Sequence, residues 1–512
     1  MNKTDEGNSS IVCYVSIAAV LAVIIVGVLY PEAFIDKMTA LFDFLSRDFN
    51  WIYLGVVTGY VVFLVYLALS KYGSIKLGPD DSEPEFSLYS WIAMLFSISL
   101  GVGIIFFGVQ EPLYHYLNSP RVSPDTPAAA VWSMKTMFLH WGIHPWAVYA
   151  FTGLGLAYFS MKRGLPLLIS SMLEPVLRGK SYRRLVEVSV DTWIMILTVT
   201  GIASAFGMAC SQITAGMHYA VGTPNNFTVF LLVVVFMTFV YVTTALTGVE
   251  KGIKIVSDIN LAVALFFLAS MFCLGPTTKI LQIIFSSLSN YLQNIVGDSL
   301  LMDPFDETFS KWHQWWTVFY WAWWCSWGAF CGIFIARISK GRTIRQFVFG
   351  VMGIPPIILF IWFSTFGGSG LELIMNDAAH ILRDVVINDR TSVTFAFLGF
   401  RPFTHFWYWV VLFLLFTFEL TSANSGAWVM ATLSSNGDTN PPKKRILIWS
   451  IIMSATAAII YRSGGISGLQ MAALCVAFPY LILTAVAIYA MMKEFVQVEA
   501  PKLREKNNKA LN

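Results

Sequence analysis

The stretch FYWAWWCSW at residues 319–327 places four tryptophans, Trp321, Trp323, Trp324 and Trp327, within seven residues. At about 100° per residue, Trp323, Trp324 and Trp327 cover an arc of roughly 100° on one helix face. A second stretch, FLHWGIHPWAVYA, puts Trp141, Trp146 and Tyr149 within an arc of about 140°, with Pro145 perturbing the helix locally. Two aromatic faces suggest a box. The chemistry that wants such a box is a quaternary or methylated ammonium, too crowded to donate hydrogen bonds but attracted to the negative face of indole rings at roughly 0.5–2 kcal/mol per contact. Packing of large side chains in a core is the plainer alternative. His140 and His144 stand at i and i+4, but no glutamate lies between them and no third ligand is evident, so they read as packing residues rather than a metal site.

The elements that carry these residues must cross a membrane. Of the 512 residues, 56% are hydrophobic and 12% charged, against about 25% charged in a soluble domain. Apolar runs long enough to cross the hydrocarbon core predict twelve helices, at 11–30, 51–71, 89–110, 131–160, 186–216, 226–247, 253–275, 312–337, 345–367, 404–432, 446–463 and 468–492. The first run lacks the flanks of a cleaved signal and reads as a retained helix. Six cysteines lie in apolar segments without metal spacing and read as small buried side chains, unpaired. Lys and Arg collect after the fourth, eighth and tenth spans (Lys162, Arg163, Arg178, Lys180; Arg337, Lys340, Arg342; Lys443, Lys444, Arg445), which predicts that both termini are cytoplasmic. The net charge of +3 is this asymmetry and not a nucleic-acid footprint.

Between the seventh and eighth spans, TTKILQIIFSSLSNYLQNIV suggests an amphipathic helix on the outer interface. Two spans look interrupted: SISLGVGIIFFGVQEP, where Gly101, Gly103 and Gly108 weaken the helix, and FELTSANSGAWVM, with Thr421, Ser422, Asn424 and Ser425 at membrane depth. Broken polar helices line cavities, and transporters bind their cargo there. Two acids fall in or near spans. Glu111 fits a structural bond to a backbone N–H or a gating role, and Glu419 lies roughly 200° from Thr421 around the helix, which disfavours direct ion ligation by it. No nucleophile–base pair, metal motif or nucleotide loop points to an enzyme. A channel is a further class, and saturable, gradient-driven accumulation would exclude it.

The segments WTVFYWAWWCSW…ARISKGRTIR, HWGIHPWAVYA and GVGIIFFGVQEPL resemble, in order and spacing, the betaine/choline/carnitine transporter family. The resemblance implies an all-α membrane protein with a five-plus-five inverted repeat: residues 1–88 with two extra helices, 89–276 as the first repeat, 277–311 as an interfacial linker, 312–493 as the second repeat, and 494–512 as a short cytoplasmic tail. It implies a homotrimer in the bacterial plasma (inner) membrane, with no cofactor beyond sodium as coupling ion. Carried over by motif, Trp141, Trp146, Tyr149 and Trp324 match the tryptophan box, and Trp323 and Trp327 the approach to it. Gly101 and Gly103 match the turn whose amides receive the substrate carboxylate. Family members taking choline can hold an aspartate where this chain has Gly103, so the resemblance favours a zwitterion such as glycine betaine, carnitine or dimethylsulfoniopropionate.

Coupling follows the same comparison. Ser97, Leu100, Phe418, Thr421 and Ser422 match the sodium site of the family's symporters. Its sodium-independent exchangers place an arginine where Asn260 stands and a methionine at Cys331, and this chain departs from both. A second sodium site is matched by Thr198 and Phe330, while its other threonine is Ile202, leaving one sodium or two. Tyr114 alone matches the exchangers' substrate-site tyrosine, and exchange of carnitine-like compounds without sodium is the alternative it supports. The short tail disfavours strong osmotic activation and leaves osmoprotectant supply and nutrient uptake both open.

Overall fold

A computed structural model describes residues 3–99, 101–247, 250–376 and 379–511. In hydrocarbon no water completes the hydrogen bonding of the backbone, so a spanning chain satisfies its N–H and C=O groups within helices. The described residues form α-helices joined by short turns, with one isolated bridge between Lys76 and Thr343. Three helices open the chain: α1 (Lys3–Leu29), α2 (Pro31–Asp48) and α3 (Asn50–Leu69). Then follow α4 (Leu88–Ser99), α5 (Val102–Leu117), α6 (Pro127–Trp141), α7 (Ile143–Leu156), the single turn α8 (Glu174–Leu177), α9 (Arg183–Val221), α10 (Phe227–Thr247) and α11 (Glu250–Leu274). After the linker α12 (Thr277–Ser299) come α13 (Glu307–His313), α14 (Phe319–Ser326), α15 (Gly328–Ile338) and α16 (Ile344–Met375). The short α17 (His380–Asn388) and α18 (Val393–Leu398) precede α19 (Thr404–Leu433), α20 (Lys443–Glu494) and α21 (Ala500–Leu511).

Eight of these helices are long and apolar enough to cross a membrane, or nine when the pair bent by 53° around Trp327 is taken as one span. The apolar runs at 89–110 and 131–160 are each divided into two shorter helices, and those at 446–463 and 468–492 lie on either side of a break within α20 at Gly465, whose backbone (φ 58°, ψ −146°) is not helical. The most apolar stretch of α9 is 94% buried, against 28% for α1, α10 and α11, which places α9 at the centre and the others at the periphery. The amphipathic α2 was not anticipated from sequence. It buries Phe42 and Leu45, and the Phe42 ring lies 4.4 Å from that of Trp315. All six cysteines are unpaired, and Cys273 is exposed rather than buried.

The breaks have physical causes. Between α4 and α5, Gly101 is extended (φ −168°, ψ −174°) and caps α5 without a side chain, so the first amides of α5 have no side-chain cap. Between α6 and α7 the break falls at Gly142, and Pro145 sits in the first turn of α7, where a missing N–H costs least. The hydroxyl of Tyr291, on α12, accepts from the Ile143 amide at 3.0 Å, and a Cβ on Gly142 would come within 2.7 Å of that hydroxyl. The expected interruption at FELTSANSG does not occur: α19 runs through it. Thr421 Oγ1 donates to the carbonyls of Thr417 (3.1 Å) and Phe418 (2.9 Å), and Asn424 Nδ2 to that of Leu420 (3.0 Å), so the polar side chains bond back onto their own helix.

Close helix approach depends on glycine. At Gly350 of α16 a Cβ would fall 2.1 Å from the buried ring of Trp91 on α4, and that ring is tethered by a 3.0 Å hydrogen bond from its Nε1 to Ser339 Oγ. Gly350→Ala should destabilise the protein by about 1–3 kcal/mol, as overpacking does. Gly55→Ala, with no atom within 4 Å of the added carbon, should be neutral. Scanning fluorimetry of the purified variants checks this, and identical melting curves would mean that the Trp91 ring yields freely.

Candidate functional site

Trp141 ends α6, Trp146 and Tyr149 stand on α7, and Trp323 and Trp324 on α14, so the break at Gly142 and the bend at Trp327 bring the two aromatic stretches face to face. The rings meet edge to face. Trp141 and Trp324 have centroids 4.9 Å apart at 83°, Tyr149 and Trp324 are 5.8 Å apart at 85°, and Trp146 and Tyr149 are 5.5 Å apart at 87°. Near-perpendicular rings form walls rather than a filled stack. Trp323 adjoins Trp324 at 5.2 Å, and Trp327 stands against Phe330. The glycine turn forms one side of the same space. A Cβ on Gly103 would come within 3.1 Å of both Trp141 and Trp323, while at Gly101 it would meet nothing within 4 Å.

These residues line a cavity of about 880 Å³. It contains Gly101, Gly103, Trp141, Trp146, Tyr149, Trp323, Trp324 and Trp327 at its aromatic part, and it runs past Arg337 to Glu85, Pro441 and Lys443 in the basic loops. Away from those loops, Phe107, Trp316 and Tyr320 are buried in an aromatic layer, with Phe107 5.9 Å from Trp141 and 5.4 Å from Tyr320. The guanidinium of Arg390 lies 5.5 Å from the Trp316 ring.

The walls are held from behind by an acid. Trp141 Nε1 donates to Glu111 Oε2 at 3.1 Å, and the Tyr320 hydroxyl donates to the same oxygen. His140 Nδ1 lies 2.7 Å from Oε1, and its Nε2 lies 3.0 Å from Thr317 Oγ1. Trp324 Nε1 donates to the His140 carbonyl at 3.0 Å. Glu111 therefore binds side chains and not the backbone N–H that was one of the two roles expected of it. With His115, these groups put one carboxylate oxygen and two ring nitrogens within 4.8 Å of one another. That set suits a metal in principle, but hydrogen bonds to Trp141, Tyr320 and Thr317 already engage Glu111 and His140. His144 stacks on Trp321 (5.2 Å, 16°) and bonds Ser299 Oγ at 2.8 Å.

Of the residues matched to an ion site, Ser97, Phe418, Thr421 and Ser422 line the cavity, and Leu100 lies outside the described residues. Asn260 also lines it and accepts from Thr417 Oγ1 at 2.7 Å. For the second set, Phe330 lines the cavity while Thr198 is buried away from it, with its hydroxyl donating to Ile194 O at 2.7 Å. Ile202 packs where α19 comes close, 2.8 Å from the Cβ position of Gly426. Tyr114 is not brought to the cavity: it packs at 5.0 Å against Trp316. Glu419 is buried, with Oε1 unpartnered among the described residues. Tyr320 was missed from sequence. Its position four residues before Trp324, on the same helix face, was the available signal.

Residues 11–500 match the family described as betaine/carnitine/choline family transporter. The chain is 38% identical over 483 residues to the glycine betaine transporter OpuD of Bacillus subtilis strain 168, covering 94% of this chain and 93% of that one. It is 35% identical over 496 residues to a probable glycine betaine transporter of Desulfitobacterium hafniense (96% and 99% covered). It is also 35% identical over 501 residues to an ectoine/hydroxyectoine transporter of Virgibacillus pantothenticus (97% of each).

The two glycines of the turn make opposite predictions. Gly103→Val fills the space between Trp141 and Trp323 and should weaken ligand binding by about tenfold or more, the scale of one lost aromatic contact. Gly101→Ala, whose added carbon meets open space, should stay within about twofold. Calorimetric titration of both variants checks the contrast, and equal losses would show that the rings are not fixed where they stand.

Proposed function

The chain belongs to the betaine/carnitine/choline transporter family, and from that membership we propose that it imports a quaternary-ammonium or sulfonium zwitterion, glycine betaine foremost, by sodium symport with alternating access. It is a membrane transporter and not an enzyme. The observation that carries the substrate class is the box of perpendicular rings closed by Gly103, where any side chain would enter the space between Trp141 and Trp323.

In this reading the ammonium sits among Trp141, Trp146, Tyr149 and Trp324, and Trp323 and Trp327 line its approach. The substrate carboxylate meets the amides that open α5 beyond Gly101, where the positive end of the helix favours an anion. No protein carboxylate needs to touch the ammonium, because the zwitterion brings its own counter-charge. Sodium would be held by the carbonyls and hydroxyls of Ser97, Leu100, Phe418, Thr421 and Ser422. These are hard oxygen donors that suit it, and Thr421 and Phe418 already touch. We expect one sodium rather than two, since Thr198 is turned to its own helix and Ile202 supplies no oxygen. The wider architecture we propose is that of twelve spans, with repeats at 89–276 and 312–493, a homotrimer in the bacterial plasma membrane and both termini cytoplasmic. The cavity then opens inward. The exchanger alternative rests on Tyr114, and Tyr114 stands outside the cavity lining.

The test is uptake of labelled glycine betaine into proteoliposomes with and without an inward sodium gradient, with ectoine as competitor. Concentrative uptake only with sodium is expected. Equal uptake without sodium, seen only when a betaine is loaded inside, would make the protein an exchanger. In the same assay Trp324→Ala should raise the half-saturation concentration about tenfold, the scale of a desolvated cation–π contact. Unchanged uptake by this variant would remove the box from substrate binding.

A further inference from the structure

Glu111 belongs neither to the residues proposed to touch the substrate nor to those proposed to hold sodium, yet both box walls depend on it. Trp141 donates its indole N–H to Oε2 at 3.1 Å. Tyr320, stacked 6.2 Å from Trp324 at 21°, donates its hydroxyl to the same oxygen. His140, whose carbonyl receives Trp324 Nε1, holds Nδ1 2.7 Å from Oε1. His115 is the fourth neighbour: Trp312 Nε1 donates to its Nδ1 at 3.2 Å, and its Nε2 lies 3.4 Å from Oε1 without a hydrogen-bond partner among the described residues. Two donors, from α6 and α14, thus share Oε2 of a fully buried group, with imidazole nitrogens of His140 and His115 facing Oε1. Two donors on one oxygen favour the ionised carboxylate, which accepts and donates nothing.

Its place makes that charge felt. An ammonium resting on the face of Trp141 would lie within about one indole width of the carboxylate bonded to the N–H edge of that ring. Unit charges at such a distance attract each other several times more strongly in a protein interior than in water. A hydrogen bond from the indole N–H to an anion is also charge-assisted, and it enriches the ring face that meets the cation. The guanidinium of Arg390 lies over the Trp316 ring, with Nη1 donating to Gln470 Oε1 at 3.3 Å. Trp141 lines the cavity and Glu111 does not.

Resting on the reading that the box receives an ammonium, we propose that Glu111 is the fixed counter-charge of the box, a positioning residue that makes the pocket select a full positive charge over a neutral group of the same shape. The test uses the purified full-length protein in sodium, titrated calorimetrically with glycine betaine and with tert-butylacetate, in which carbon replaces the nitrogen and the carboxylate is kept. Glu111→Gln should weaken glycine betaine about tenfold and tert-butylacetate by no more than about twofold. Tyr320→Phe removes a donor from the same carboxylate without removing its charge, and should change both ligands by the same factor. If Glu111→Gln does not yield a monodisperse protein, Glu111→Ala in the same pair of titrations removes the charge instead. Equal weakening of both ligands by the charge-removing variant would overturn the proposal and leave Glu111 a support for the rings. A wild-type protein that binds no glycine betaine would be a different result, ending the substrate reading and this inference together.

Discussion

A helix that breaks inside a membrane exposes backbone groups to a medium that cannot satisfy them. The placing of the aromatic residues depends on how each break is resolved. At Gly142 the absence of a side chain admits the Tyr291 hydroxyl, which takes the Ile143 amide and lets α6 end beside the start of α7. Without that break Trp141 and Trp146 would continue one helical face. With it, they become two walls, Trp141 meeting Trp324 of α14 directly and Trp146 through Tyr149. At Gly101 the backbone is extended and the amides opening α5 have no side-chain cap, so the same constraint that closes one break with a tyrosine leaves the other beside a cavity.

Indole has one polar atom, and where that atom is bonded the ring is fixed. Trp141 and Trp324, the walls that meet most closely, both have their N–H groups engaged, one by Glu111 and the other by the His140 carbonyl. Trp323 and Trp327 are different: their Nε1 atoms have no partner among the described residues. The box therefore combines rings oriented in advance with rings whose N–H groups are unbonded. A pre-set wall lowers the ordering cost of binding, while the buried, unbonded N–H groups leave the other two rings held by packing alone.

Much of this was legible in the sequence because its signals are local. Helical spacing alone put Trp323, Trp324 and Trp327 on one face and Trp141, Trp146 and Tyr149 on another, and the glycines of GVG marked a real break. What failed turned on contacts that composition and periodicity do not report. SANSG reads as a helix breaker by composition, yet the side chains of Thr421 and Asn424 reach carbonyls of their own helix and keep it whole. Tyr114 lies only eleven residues from Gly103, but α5 carries it into the aromatic layer around Trp316 and away from the cavity. Glu111 was visible as an acid at membrane depth, but its partners stand 29, 30 and 209 residues away. No periodicity reports that. The amphipathic α2 was overlooked because its apolar content is too low to read as a span, although its buried Phe42 anchors it to Trp315.

The hydrogen bonds around the cavity fall into two groups, and that division bears on how the site could move. On one side Glu111 joins α5, α6 and α14 into a unit that carries the box. On the other, Thr417 bonds Asn260 at 2.7 Å, and Asn424 Nδ2 bonds Thr244 Oγ1 at 2.9 Å, tying α19 to α11 and α10. Ser97 and the glycine turn lie at the junction of α4 and α5, next to the first unit and lining the same cavity as Thr421 and Ser422 of the second. A cation shared between Ser97 and α19 would link the two units, and a zwitterion spanning the box and the start of α5 would load the first. A ligand can shift such a pair only as far as it binds one arrangement better than another. On the proposed reading, coupling then needs no direct contact between sodium and substrate, because both act on the orientation of the same junction at Gly101.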